Sequence, residues 1–150
     1  MNQDKELAQV VLSLESGDGN LKYELNKGMT RHTPFYIASI TKLSTHAIIY
    51  QLVDKGLQSL GCPIAQLLEA NVWQGLRQIK GQDETAKITV TMLLDQNSGL
   101  ADYETDKLSD GSVIMEQLKK DDFALDDAQT LKLTRQLQAK FEPGTDKAYY

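Results

Sequence analysis

Apolar positions along the chain change their period several times, and each change marks an element. Val and Leu crowd residues 8–15, a Ser16-Gly17-Asp18-Gly19-Asn20 cluster follows, and Leu21-Lys22-Tyr23-Glu24-Leu25 alternates apolar with polar. Two such runs around a Gly/Asp/Asn cluster predict an opening β-hairpin. Residues 27–32 read as a connector, and Pro34 keeps Thr33 extended and delays any helix. From Ser39 onward, apolar residues recur at Leu43, Ala47 and Tyr50 and again at Ile48 and Leu52. This predicts a helix over residues 39–55, stopped by Gly56 as its C′ residue, and its broad apolar girth predicts burial on most sides, the Ser39–Lys42 pair included.

Gly61 and Pro63 punctuate the next stretch, and residues 67–79 read as weakly helical, with Trp73 and Leu76 as core anchors. A charged loop is expected over residues 81–87. Thr89 then opens a short apolar helix, residues 90–94, which runs into a polar turn ending at Tyr103, with Gly99 available for positive φ. Further helices are predicted over residues 112–120 and from Asp126 to about Lys140, the second because Asp126 and Gln129 have capping-box spacing. Pro143-Gly144 forces a turn near the end. Neither an internal repeat nor a low-complexity segment is present, and 150 residues suit one domain or part of one.

Composition narrows the function classes. A hydrophobic fraction of 41% and a charged fraction of 25% are those of an ordinary globular chain. No apolar run approaches bilayer length, so no membrane span is expected. The net charge is −5 and the 16 Lys and Arg are scattered, which argues against a nucleic-acid partner. One cysteine, Cys62, excludes an internal disulfide and reads as a small buried filler. With only two histidines, no Cys/His metal cluster of known spacing is present, and neither a metal nor a cofactor is expected. Asp102, Glu104, Asp106 and Asp110 are spaced somewhat like a calcium loop, but Lys107 stands where that loop needs Gly and Val113 where it needs Glu. The run reads as a solvated acidic loop.

The chemistry-bearing candidates are Ser39 and Lys42. Residues three apart on a helix share a face, so hydroxyl and amine would stand side by side near the helix N-terminus. A hydroxyl beside a lysine is a candidate activated nucleophile. The spacing alone is weak, because a chain of this length holds roughly one Ser-x-x-Lys by chance. His46 lies a turn beyond Lys42, and with no Ser-His-Asp arrangement in view it reads as a packed histidine. His32, in a connector, reads as solvated.

Four ordered segments add specificity. Thr33-Pro34-Phe35-Tyr36-Ile37-Ala38-Ser39-Ile40-Thr41-Lys42 resembles the active-site stretch of the serine β-lactamase and penicillin-binding protein superfamily, in particular its class C-like branch of β-lactamases, D,D-peptidases and esterases. Residues 51–56 resemble the end of that family's nucleophile helix, and residues 88–103 its LLxxxSGLxxY segment. Phe141-Glu142-Pro143-Gly144 resembles the lead-in to its Tyr-x-Asn motif.

The resemblance implies an α/β (α+β) fold, of which this chain holds the N-terminal hairpin and much of the helical part. Residues 1–38 would be hairpin and connector, and residues 39–150 a mainly helical region carrying the nucleophile. It implies that Ser39 forms an acyl-enzyme and that Lys42 helps take its proton. Tyr150, or Tyr149 in the alternative register, would work with Lys42 and later pass the proton to the leaving group. The Ser39 N–H would be one of two oxyanion donors, and Tyr103 would line the substrate cleft. The implied substrates are β-lactams, D-alanyl peptides or small esters. The family's Lys-Thr-Gly or His-x-Gly motif and later strands do not occur in these 150 residues, so the chain is expected to be part of a larger hydrolase, its remaining part a partner, and to be weak or inactive alone. The alternative is a non-catalytic binding or scaffold fragment of the same fold. The acidic N-terminus lacks a secretory pattern, which implies a cytoplasmic protein, or a periplasmic or secreted one if an export signal has been removed.

Overall fold

The cluster at residues 16–20 turns the chain as its composition dictates. In the computed structural model, which describes residues 9–121 and 123–146, β1 (Val10–Glu15) pairs antiparallel with β2 (Lys22–Lys27). The register sets Leu12 opposite Leu25 and Leu14 opposite Tyr23, and strand alternation puts these four on one face of the ribbon. Asp18 ties the turn: its Oδ1 accepts from the Ser16 hydroxyl at 2.5 Å and the Asn20 N–H at 3.1 Å, and its Oδ2 from Asn20 Nδ2 at 2.8 Å. The Ser16 hydroxyl first, then the Asn20 amides, hold its carboxyl below the usual carboxylate range. Residues 1–42 form one compact unit and residues 43–150 another.

Helix α1 (Thr41–Asp54) ends at Gly56 as expected. Gly56, at φ 68, donates to Val53 O and Leu57 to Leu52 O, both at 2.9 Å, a Schellman closure that satisfies carbonyls of the last turn. The expected burial is not found. No residue of α1 is buried, and Leu43, Ile48 and Tyr50 are 71%, 58% and 47% exposed. An apolar pattern records a capacity for burial, and a packed neighbour has to realise it.

The buried apolar residues belong to shorter pieces: Ile64, Leu76, Ile88, Val90, Ala101, Ile114 and Leu137. Ile64 opens a single 3₁₀ turn and donates to Ile88 O at 2.9 Å, while Pro63 and Thr89 form an antiparallel bridge. Cys62, expected to be buried, is half-exposed. The weak helix expected over residues 67–79 shrinks to one turn, α2 (Ala70–Trp73), and the charged loop after it is in part a second hairpin. There β3 (Gln78–Ile79) pairs with β4 (Gln82–Asp83) across Lys80 and Gly81, whose φ values of 49 and 78 make the two-residue turn that matches strand twist. Asp83 braces it, accepting from Thr85 N–H and Oγ1 at 3.0 and 2.5 Å and from Gly75 N–H at 2.8 Å. Burial works to raise its pKa, but these three donors outweigh it and leave the carboxyl below its ordinary value.

Helix α3 (Val90–Leu94) opens where predicted, with Thr89 Oγ1 accepting from Met92 N–H at 3.4 Å. It too closes by a Schellman pair, Asn97 N–H to Met92 O and Gln96 N–H to Leu93 O, but here Gln96 occupies the left-handed position at φ 58. A side chain there is strained, so Gln96→Gly should raise stability by about 0.5–1 kcal/mol once glycine's extra unfolded freedom is subtracted. Urea midpoints of the two proteins check it.

Helix α4 (Ile114–Leu118) lies within the predicted stretch. Helix α5 (Asp127–Thr134) carries the expected capping box: Gln129 N–H donates to Asp126 Oδ1 at 2.8 Å and Asp126 N–H to Gln129 Oε1 at 2.9 Å. It stops well short of Lys140. Arg135 sends its guanidinium to the carbonyls of Asn71, Val72 and Gln74 at the end of α2, and Gln138 pairs with Gln78 in a parallel bridge. Short helices with two small antiparallel sheets make an α+β fold. Among the described residues no helix is long and apolar enough to cross a membrane.

Candidate active site

A turn closed by Thr33 N–H donating to Thr30 O at 3.0 Å is followed by an irregular stretch, residues 34–37, and a 3₁₀ turn, Ala38–Ile40, that leads directly into α1. Ser39 is the middle residue of that turn and Lys42 the second residue of α1. Lys42 Nζ donates to Ser39 Oγ at 3.2 Å. Sequence spacing therefore becomes contact, although Ser39 is exposed and Lys42 half-buried, where a buried pair was expected. Ala38, immediately before the serine, sits at φ 45, in the left-handed region that an alanine occupies at a cost of about 1–2 kcal/mol. Strained backbone of this kind concentrates at functional sites, and no sequence signal announced it.

Tyr103 belongs to the unit of residues 43–150. Its hydroxyl donates to Glu104 Oε1 at 3.1 Å. Burial first, then the Glu104 charge and hydrogen bond and the Asp102 charge, raise its pKa above the ordinary tyrosine value. Tyr149 and Tyr150 lie outside the described residues. His46 Nε2–H donates to Leu94 O at 3.0 Å, tying α1 to the end of α3, and His32 Nε2 accepts from Arg31 Nε at 3.1 Å on the surface. The acidic stretch is folded on itself: Asp102 N–H donates to Asp106 Oδ2 and Glu104 N–H to Asp102 Oδ1, while Lys140 pairs with Asp106 Oδ1. Among the described residues no three His, Cys, Asp or Glu groups gather to hold a metal ion.

The Asn97–Gly99 turn carries the segment before Tyr150. Lys140 N–H donates to Gly99 O at 3.0 Å and Gly144 N–H to Asn97 O at 2.8 Å. Gly99, at φ 73, lets the Phe141 carbonyl approach so closely that a Cβ would stand 2.2 Å from its oxygen. Beneath them lies Arg77, fully buried, whose Nη2 donates to Phe141 O at 2.6 Å and pairs with Glu142 Oε2 at 3.3 Å. Sequence reading passed over Arg77 because a lone arginine inside an expected weak helix carries no spacing signal.

A serine–lysine contact at a strained helix entrance and a glycine turn clasping a Pro-Gly loop are thus in place. The family model described as Beta-lactamase matches residues 15–150. The chain belongs to the Beta-lactamase family. Nothing matches among curated proteins or solved structures. The match runs from the end of β1 through both the Ser39–Lys42 turn and the Asn97–Gly99 turn. As a Beta-lactamase family member the chain has a fold of the serine hydrolase type.

Proposed function

We propose that this protein is a serine acyl-transfer hydrolase that forms an acyl-enzyme on Ser39 with a β-lactam, a D-alanyl peptide or a small ester. The observation that supports it is the 3.2 Å contact from Lys42 Nζ to Ser39 Oγ, within proton-transfer reach. In its amine form Lys42 takes the hydroxyl proton as Oγ adds to the carbonyl carbon. The scissile C–N or C–O bond then breaks, and the proton passes by way of Tyr150 to the leaving nitrogen or oxygen. Water next cleaves the acyl–Oγ ester, releasing the acid and restoring the hydroxyl.

The Ser39 N–H stands in the first helical turn, where backbone N–H groups have no acceptor within the helix, and would serve as one oxyanion donor. Intact mass after incubation with a fluorescent penicillin and, separately, a fluorophosphonate tests the proposal. A single adduct that is absent from Ser39→Ala supports it, and penicillin labelling favours the lactamase or peptidase reading over the esterase one. An adduct that persists in Ser39→Ala, or none with either probe, would favour a non-catalytic scaffold.

A further inference from the structure

We infer that Asp110–Gly111 is a modification site, at which Asp110 turns into isoaspartate through a cyclic imide, and that the fold protects the same dipeptide at Asp18–Gly19. The sequence holds these two Asp-Gly pairs and no Asn-Gly. In each, the backbone nitrogen of the glycine can add to Cγ of the aspartate, because the glycine carries no side chain to hinder the approach. The C–N bond that forms closes a five-membered imide, and the carboxyl hydroxyl leaves with the amide proton as water. Water then adds back at either carbonyl. Cleavage at the α-carbonyl sends the main chain through Cβ and Cγ, with no net change of mass. None of this depends on the acyl-transfer reading above.

Structure separates the two pairs. Asp18, Gly19, Asp110 and Gly111 are all exposed, so water reaches both sites, and nothing lies within 4 Å of where a Cβ would stand on either glycine. Gly19 N–H donates to Ser16 O and Gly111 N–H to Leu108 O, each at 2.9 Å, so the two nitrogens are restrained alike. The carboxyls differ. Asp18 takes three donors spread over both oxygens, from the Ser16 hydroxyl and the two Asn20 amides. Asp110 takes two, the Ser112 N–H at 2.9 Å and the Ser112 hydroxyl at 2.6 Å, both on Oδ1, and among the described residues no donor reaches Oδ2. The Ser112 hydroxyl first, then its N–H, holds this carboxyl below the usual range, and only the protonated acid loses water readily. Ser112 is thus the brake on Asp110, and it grips one oxygen only. The site also matters to its neighbours. Leu108 N–H donates to Ser112 O at 2.9 Å and closes this loop just before α4, whose Met115 N–H donates to Glu104 O at 2.9 Å. An extra main-chain carbon at position 110 puts the Leu108–Ser112 bond out of register, two residues before buried Ile114.

The experiment stores the full chain in mildly acidic buffer at body temperature and counts isoaspartate at each position by peptide mapping with electron-based fragmentation, which breaks the new main-chain Cα–Cβ bond. Asp110 should convert about tenfold faster than Asp18, the effect of one charged hydrogen bond fewer. Ser112→Ala should speed conversion at Asp110 by about the same factor and leave Asp18 unchanged, and Ser16→Ala should do the converse. Asp110→Glu should form no isomer at that position, since the longer side chain would have to close a six-membered ring. In guanidinium the unfolded chain should convert both pairs at similar rates. Equal rates in the folded chain, faster conversion at Asp18, or no isoaspartate at Asp110 would overturn the proposal. So would a preference for Asp110 that persists in the unfolded chain, because the fold would then not be its cause. An unchanged rate at Asp110 in Ser112→Ala would remove Ser112 as the brake and overturn it equally.

Discussion

Gly99→Ala should destabilise the unit of residues 43–150 by about 3–4 kcal/mol, the sum of a left-handed backbone penalty and an overpacking penalty. The two costs come from different facts. At φ 73 an alanine pays for its conformation, and its Cβ would stand 2.2 Å from the Phe141 oxygen and 3.4 Å from Arg77 Nε. The first contact is with backbone, which cannot swing aside as a side chain would. Relief requires the Phe141 carbonyl to leave the Arg77 guanidinium, so the clasp opens along with the turn. Gly111→Ala is the matched control: φ 80 imposes a similar conformational cost, and nothing lies within 4 Å of the added carbon. Urea unfolding followed by the fluorescence of Trp73, the chain's single tryptophan, reads both variants. Equal midpoints for Gly99→Ala and Gly111→Ala would refute the close approach of Phe141 to Gly99.

On the proposed chemistry, Lys42→Met should slow acylation of Ser39 by two to four orders of magnitude, about the contribution of a positioned general base. The methionine fills the half-buried stem and removes the amine 3.2 Å from Oγ, so the fold should survive. Lys42→Arg should fail to restore the rate, because a guanidinium keeps its proton and cannot take the serine's. Labelling kinetics with a fluorophosphonate measure all three proteins. A loss smaller than about threefold, well under that expected range, would remove Lys42 from the proton path.

Much of the local structure was legible before any coordinates. The Ser16–Asn20 turn, the Gly56 stop, the Thr89 cap and the Asp126–Gln129 capping box all rest on residues within a few positions of each other, where backbone conformation and side-chain reach decide the outcome. The contact of Lys42 with Ser39 is of the same kind, being one helical turn long. What misled was length and burial. Residues 67–79 hold enough apolar side chains for a helix, yet the Lys80-Gly81 turn and the Gln78–Gln138 bridge draw their last two residues, Gln78 and Ile79, into strand. Likewise α5 ends early because Arg135 is drawn to the end of α2.

By itself, then, the sequence determined where many turns and helix ends fall, which two residues bring a hydroxyl and an amine together, and which family the chain resembles. Each of these depends on short-range sterics or on an ordered set of motifs. Tertiary structure alone decided that α1 leaves none of its apolar residues fully buried, that Ala38 carries positive φ, and that Arg77 reaches under Gly99 to hold Phe141. Burial is a property of two surfaces meeting, and a hydrogen bond spanning 64 residues depends on where the whole fold sets its two ends, so neither is written in any one stretch of chain.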